Sequence, residues 1–70
     1  MNEKEAYVIN QVCIAIQCDH HELKDIDGHL IMTASVLDCD PEYYYEEYGI
    51  KQDGSMIAID ITALTDRWYK

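Results

Sequence analysis

The chain has 70 residues, 49% of them apolar, and sets 14 acidic against five basic side chains, for a net charge of −9. A chain of this length makes one domain, with a core that is marginal on its own. The surplus of carboxylates argues against direct binding to nucleic acid or anionic lipid, which needs clustered Lys and Arg. No run approaches the roughly 20 apolar residues of a membrane-spanning helix.

The first element predicted is a helix from Glu3 to Gln17. Asn2 is placed to cap it, and Glu5 stands at the capping-box position. At helical steps Val8, Ile9, Val12, Cys13, Ala15 and Ile16 fall on one face, while Glu3, Lys4, Asn10, Gln11 and Gln17 fall on the other. Asp19 then reads as the cap of a second, short helix with Leu23 and Ile26 inward, stopped at Asp27-Gly28. Beyond the stop, Leu30, Ala34 and Leu37 continue a 3, 4, 4, 3 spacing that begins at Leu23 and predicts a third helix. The competing reading makes 29–37 a strand with Leu30, Met32, Ala34 and Val36 on one side.

Asp40-Pro41-Glu42 is a helix start by three independent signals. Asp40 caps, Pro41 occupies the first turn without losing a hydrogen bond, and Glu42 faces the positive end of the dipole. Gly49-Ile50 is the matching stop. Lys51 to Gly54 reads as a turn. Ser55 to Trp68 reads as a helix with Ile57, Ile61, Leu64 and Trp68 in line; as a strand, Ile57, Ile59 and Ile61 would align instead. These elements predict a single domain, residues 1–70, that is all-α. It would be a small bundle of about five short helices, two α-hairpins plus a C-terminal helix. The alternative is α+β, with strands at 29–37 and 55–62 paired to each other.

One pattern occurs twice. Ile16-Gln17-Cys18-Asp19 returns as Leu37-Asp38-Cys39-Asp40, 21 residues on (39 − 18), and Gly28 and Gly49 share that offset. The repeat resembles a helix-turn-helix over residues 11–27 and 32–48, with Ile16, Cys18, Leu23 and Ile26, or Leu37, Cys39, Tyr44 and Tyr48, at the apolar positions. The resemblance implies the geometry of a helical hairpin. It does not carry DNA binding, because the would-be recognition helices hold Glu22 and Asp25, or Glu42, Glu46 and Glu47, which phosphates repel.

For function, the acidic and aromatic run from Asp38 to Tyr48 is the best candidate. Asp38, Asp40, Glu42, Glu46 and Glu47 are interleaved with tyrosines, and no base intervenes. Tyrosine supplies contact area at low entropic cost, and flanking carboxylates steer a basic partner. The predicted partner-binding residues are Asp38, Asp40, Glu42, Tyr43, Glu46 and Glu47. The expected partner is a basic protein surface, such as the groove of a nucleic-acid-binding protein. By analogy of size and charge, the role would be that of a phage or mobile-element inhibitor.

Two other readings stand beside this one. The first is a homo-oligomeric regulatory or scaffold subunit, with Ile14, Ile59 or Trp68 at the self-interface. The second is a small metal-binding domain, for which Cys18, His20, His21, His29 and Cys39 are ligands by type. Their spacing matches no recognised zinc pattern, so neither a designed metal site nor a cofactor is expected. Catalysis is not expected either: no glycine-rich phosphate loop is present, and the thiol neighbours Asp19, Asp38 and Asp40 disfavour a thiolate. Three cysteines, with no leader-like segment, predict thiols in the cytoplasm.

Overall fold

The computed structural model describes residues 1–17, 21–35 and 41–70, with the side chains of 41–44 outside the description. The chain is α+β. Its elements are α1 (Glu3–Ile16), β1 (His21–Ile26), β2 (His29–Ser35), α2 (Pro41–Tyr48), β3 (Lys51–Asp53), β4 (Met56–Asp60) and α3 (Ile61–Trp68). The four strands form one antiparallel sheet in the order β1-β2-β4-β3. The all-α bundle expected above is therefore wrong, and the α+β alternative is the one that fits.

α1 forms as its sequence dictates. The Asn2 side chain accepts from the Glu5 amide at 2.8 Å, and the Glu5 carboxylate accepts from the Asn2 amide at 3.2 Å. This reciprocal box satisfies two orphan donors of the first turn. Val8, Ile9, Val12 and Ile16 lie along one side and are buried. Gln17 ends the helix in the left-handed conformation, its amide bonded to the Cys13 carbonyl.

The segment read as helices two and three is a β-hairpin. Asp27 and Gly28 both have positive φ, 53° and 82°. That is the type I′ pattern, whose twist matches the twist of paired strands. Asp25 Oδ1 supports the turn by accepting from the Gly28 amide at 3.2 Å. The register sets Leu23 opposite Met32 and His21 opposite Ala34. The 3, 4, 4, 3 spacing crosses this turn and marks no continuous face: Ile26, which it places inward, is half exposed. The helix-turn-helix resemblance fails as well: over 11–27 the would-be second helix is β1, and over 32–48 the would-be first helix begins in β2, although α2 does form a helix.

The last segment divides where Asp60 stands. β4 places Ile57 and Ile59 on the covered face of the sheet, opposite Ala34 and Met32 of β2. Asp60 then caps α3, its Oδ1 accepting from the Ala63 amide at 3.0 Å. The expected pairing of the 29–37 and 55–62 regions is what β2 and β4 do. β3 returns through a two-residue turn, Gly54-Ser55, with positive φ at the glycine, as a type II′ turn requires.

The core is one cluster: Val8, Ile9, Val12 and Ile16 of α1, Met32 and Ala34 of β2, Ile50, Ile57 and Ile59, and Ile61 and Leu64 at α3. The helices thus cover one face of the sheet, and the face bearing Glu22, Lys24, Thr33 and Met56 is the more open one. Thr65 is buried in this core, and its hydroxyl has no hydrogen-bond partner. Thr65→Val keeps the shape and removes an unpaired buried donor. It is expected to stabilise the chain by about 1 kcal/mol in a urea titration.

Candidate partner-binding surface

α2 is built from its ends. Pro41 opens it and Gly49, with φ of 69°, closes it, the Gly49 amide bonding to the Tyr45 carbonyl at 2.8 Å. α2 is fixed to α3 at that same end. Tyr48 packs against Trp68 with ring centroids 6.0 Å apart and planes at 57°, a tilted aromatic contact. The Arg67 guanidinium donates to the Glu47 carbonyl.

Anchoring through Tyr48 leaves Tyr45, Glu46 and Glu47 facing solvent. The two carboxylates sit in the last turn, at the negative end of the helix dipole, and no basic side chain stands in that turn. Each such placement costs about 0.3–1 kcal/mol at an exposed site. Arg67 offsets it only through the backbone carbonyl.

The wider charge balance is equally one-sided. Among the described residues no carboxylate forms an ion pair with Lys or Arg. The ion pair present there joins His29 Nδ1 to Asp60 Oδ2 at 2.7 Å. Lys4 lies over the Tyr69 ring, 5.2 Å from its centroid. Arg67 and Lys4 are thus drawn to a carbonyl and a ring rather than to a carboxylate.

Of the predicted partner-binding residues, Glu46 and Glu47 are together on the exposed surface of α2. Glu42 and Tyr43 belong to the same helix, their side chains outside the description, and Asp38 and Asp40 lie outside the described residues. The metal-ligand candidates fall differently. Cys18, His20 and Cys39 lie outside the described residues, while His21 and His29 stand at opposite ends of the β1–β2 hairpin. Among the described residues no three His, Cys, Asp or Glu side chains converge as a metal site would need. Of the self-interface candidates, Ile59 is 1% exposed and serves the core, whereas Ile14 is 63% and Trp68 37% exposed.

Besides the His29–Asp60 and Arg67–Glu47 contacts, two further polar associations are not legible in the sequence. The Thr62 hydroxyl accepts from the Leu30 amide at 2.9 Å and reaches Glu5 Oε2 at 3.5 Å, tying the starts of α1, β2 and α3 together. Thr62→Val leaves the Leu30 amide without its acceptor and is expected to cost about 1–2 kcal/mol in unfolding free energy. The other is the approach of Cys13 Sγ to His21 Nδ1, at 3.7 Å. It becomes legible once residues 21–26 are read as a strand, because alternation then sets His21 on the same covered face as Leu23, below α1.

No family model, curated protein or solved structure matches this chain. Among the described residues no helix is long and apolar enough to cross a membrane.

Proposed function

We propose that this protein is a protein–protein recognition module that presents an acidic, tyrosine-bearing surface on α2 to a basic partner. The observation that carries this reading is the pair Glu46 and Glu47, exposed beside Tyr45 in a turn where their charge works against the helix. Residues that break a local rule without a compensating contact are the ones expected to serve binding. Exposed tyrosine provides the anchor, and unpaired carboxylates provide steering and pairing to Arg or Lys. A basic groove that ordinarily holds nucleic acid has the matching chemistry. A partner of that kind would be met in the cytoplasm.

The test is affinity capture with the chain, followed by the same capture after neutralising Asp40, Glu42, Glu46 and Glu47 to their amides. A salt-sensitive partner that the wild-type chain holds and the neutralised chain loses supports the reading. Retention of every partner at unchanged strength removes it.

A further inference from the structure

β1 is an outer strand of the sheet, paired to β2 along one side. Among the described residues no strand pairs with its other side, and all its side chains are exposed except Leu23, which is half-buried. Which backbone groups face that open side follows from the hairpin. A two-residue turn makes its flanking residues, Ile26 and His29, exchange hydrogen bonds. Every second pair then does the same, Lys24 with Ile31 and Glu22 with Thr33. The amides and carbonyls of His21, Leu23 and Asp25 therefore point outward. The Leu30 amide agrees with this: it stands opposite Asp25 yet donates to the Thr62 hydroxyl, away from β1. An open edge of this kind is a template for another strand.

We propose that β1 pairs antiparallel with β1 of a second copy, about a two-fold axis at Leu23, joining the two sheets into one. The run His21-Glu22-Leu23-Lys24-Asp25 is complementary to its own reverse. In this register Glu22 of each copy meets Lys24 of the other, His21 meets Asp25, and Leu23 meets Leu23. The outward backbone groups of His21, Leu23 and Asp25 fall opposite one another in the same register, so hydrogen bonding and charge select one alignment. A slip of two residues keeps the bonding pattern but sets Glu22 against Glu22 in one direction and Lys24 against Lys24 in the other, which is repulsive. A lysine in the middle of an edge strand ordinarily deters pairing; here it admits one partner and rejects the rest. Leu23 packs against the core of its own copy, so the Leu23–Leu23 contact brings the two cores together on the covered face.

The net charge of −9 on each copy opposes association at a distance. Salt at about 0.15 M screens charges more than about 8 Å apart, while the paired side chains at the junction are in contact. The acidic helix α2 packs near β3, at the opposite edge of the sheet, so a dimer through β1 leaves that surface open to its own partner.

Analytical ultracentrifugation of the full, reduced chain from micromolar to millimolar concentration, at that salt, reads the dissociation constant. The wild-type chain is expected to pass from monomer to dimer. Glu22→Lys and Lys24→Glu each set like charges opposite one another and are expected to raise the dissociation constant by about tenfold or more. An equimolar mixture of these two variants restores the opposite-charge pairs and is expected to give a heterodimer. The double variant, which keeps the net charge, is expected to dimerise as the wild type does. Lys51→Glu, on the opposite edge strand, changes the net charge as Lys24→Glu does and is expected to weaken association less. Far-UV circular dichroism checks that each variant is folded. On the wild-type chain alone, exchange of the Leu23 and Asp25 amides, read by NMR, is expected to slow about tenfold or more between monomeric and dimeric concentrations. A chain that stays monomeric throughout overturns the proposal. So does a dimer whose Leu23 and Asp25 amides exchange as in the monomer, or one that Lys24→Glu and Lys51→Glu weaken equally. Partner capture by α2 is read separately and stands or falls on its own.

Discussion

Replacing Ile59 with alanine is expected to destabilise the chain by about 2–5 kcal/mol. Ile59 is 1% exposed and stands opposite Met32 across the central strand pair, inside the cluster that α1 and α3 cover. Its side chain contributes burial on the sheet and contact with the helices above it, and a truncated side chain leaves a void that so small a core cannot refill from elsewhere. A chain of this length has a total stability of roughly 4–10 kcal/mol, so the loss is a large part of the whole. Denaturant midpoints for wild type and variant measure it, and the slope of the transition checks that both unfold in one step. A change under 0.5 kcal/mol would mean that Ile59 is not in the core. The same substitution would then have to be tested as a surface change for its effect on self-association.

Neutralising the acidic surface of α2 should act with opposite signs on folding and on binding. Glu46→Gln with Glu47→Gln relieves the clash with the helix dipole and is expected to raise stability by several tenths of a kcal/mol to about 1 kcal/mol. Adding Asp40→Asn and Glu42→Gln should lower the association rate with a basic partner by about tenfold or more at low salt, and by much less at high salt. Thermal melts read the first effect and stopped-flow or surface-resonance association the second. A purely structural role for these carboxylates predicts the reverse: lower stability, and binding unaffected by salt.

Much of the local chemistry was legible in the sequence, and the elements that were misread share a cause. The Asn2–Glu5 box and the Pro41 to Gly49 helix were found because capping depends on a few adjacent residues, which the chain itself keeps in place. The hairpin was missed because Leu23, Ile26, Leu30 and Ala34 fit a helical period by coincidence, and Asp27-Gly28 ends a helix as readily as it turns a hairpin. The alternation Leu30, Met32, Ala34 separated the two readings, but which period wins depends on a partner strand supplied about 25 residues later in the chain. Ser55 to Trp68 misled in a related way. A strand and a helix joined at Asp60 share Ile57, Ile61 and Leu64 on one buried side, so a single wheel accounts for all three. At the candidate surface, exposure of Glu46 and Glu47 followed from the α2 helix alone. The meeting of Cys13 with His21 did not, since it requires β1 to lie under α1.

The strand order has a consequence for how quickly the chain reaches this state. Each hairpin is made of neighbours in sequence, but the seam between β2 and β4 brings Ile31 to Asp60 and Ser35 to Met56. A lone two-stranded ribbon is marginal in water, so neither half persists until the seam closes. The loop entropy is lost before most of the burial is gained, so this chain is expected to fold more slowly than a helical bundle of equal length. The encounter that completes the sheet is between the two hairpins, and both must be present for either to hold its shape.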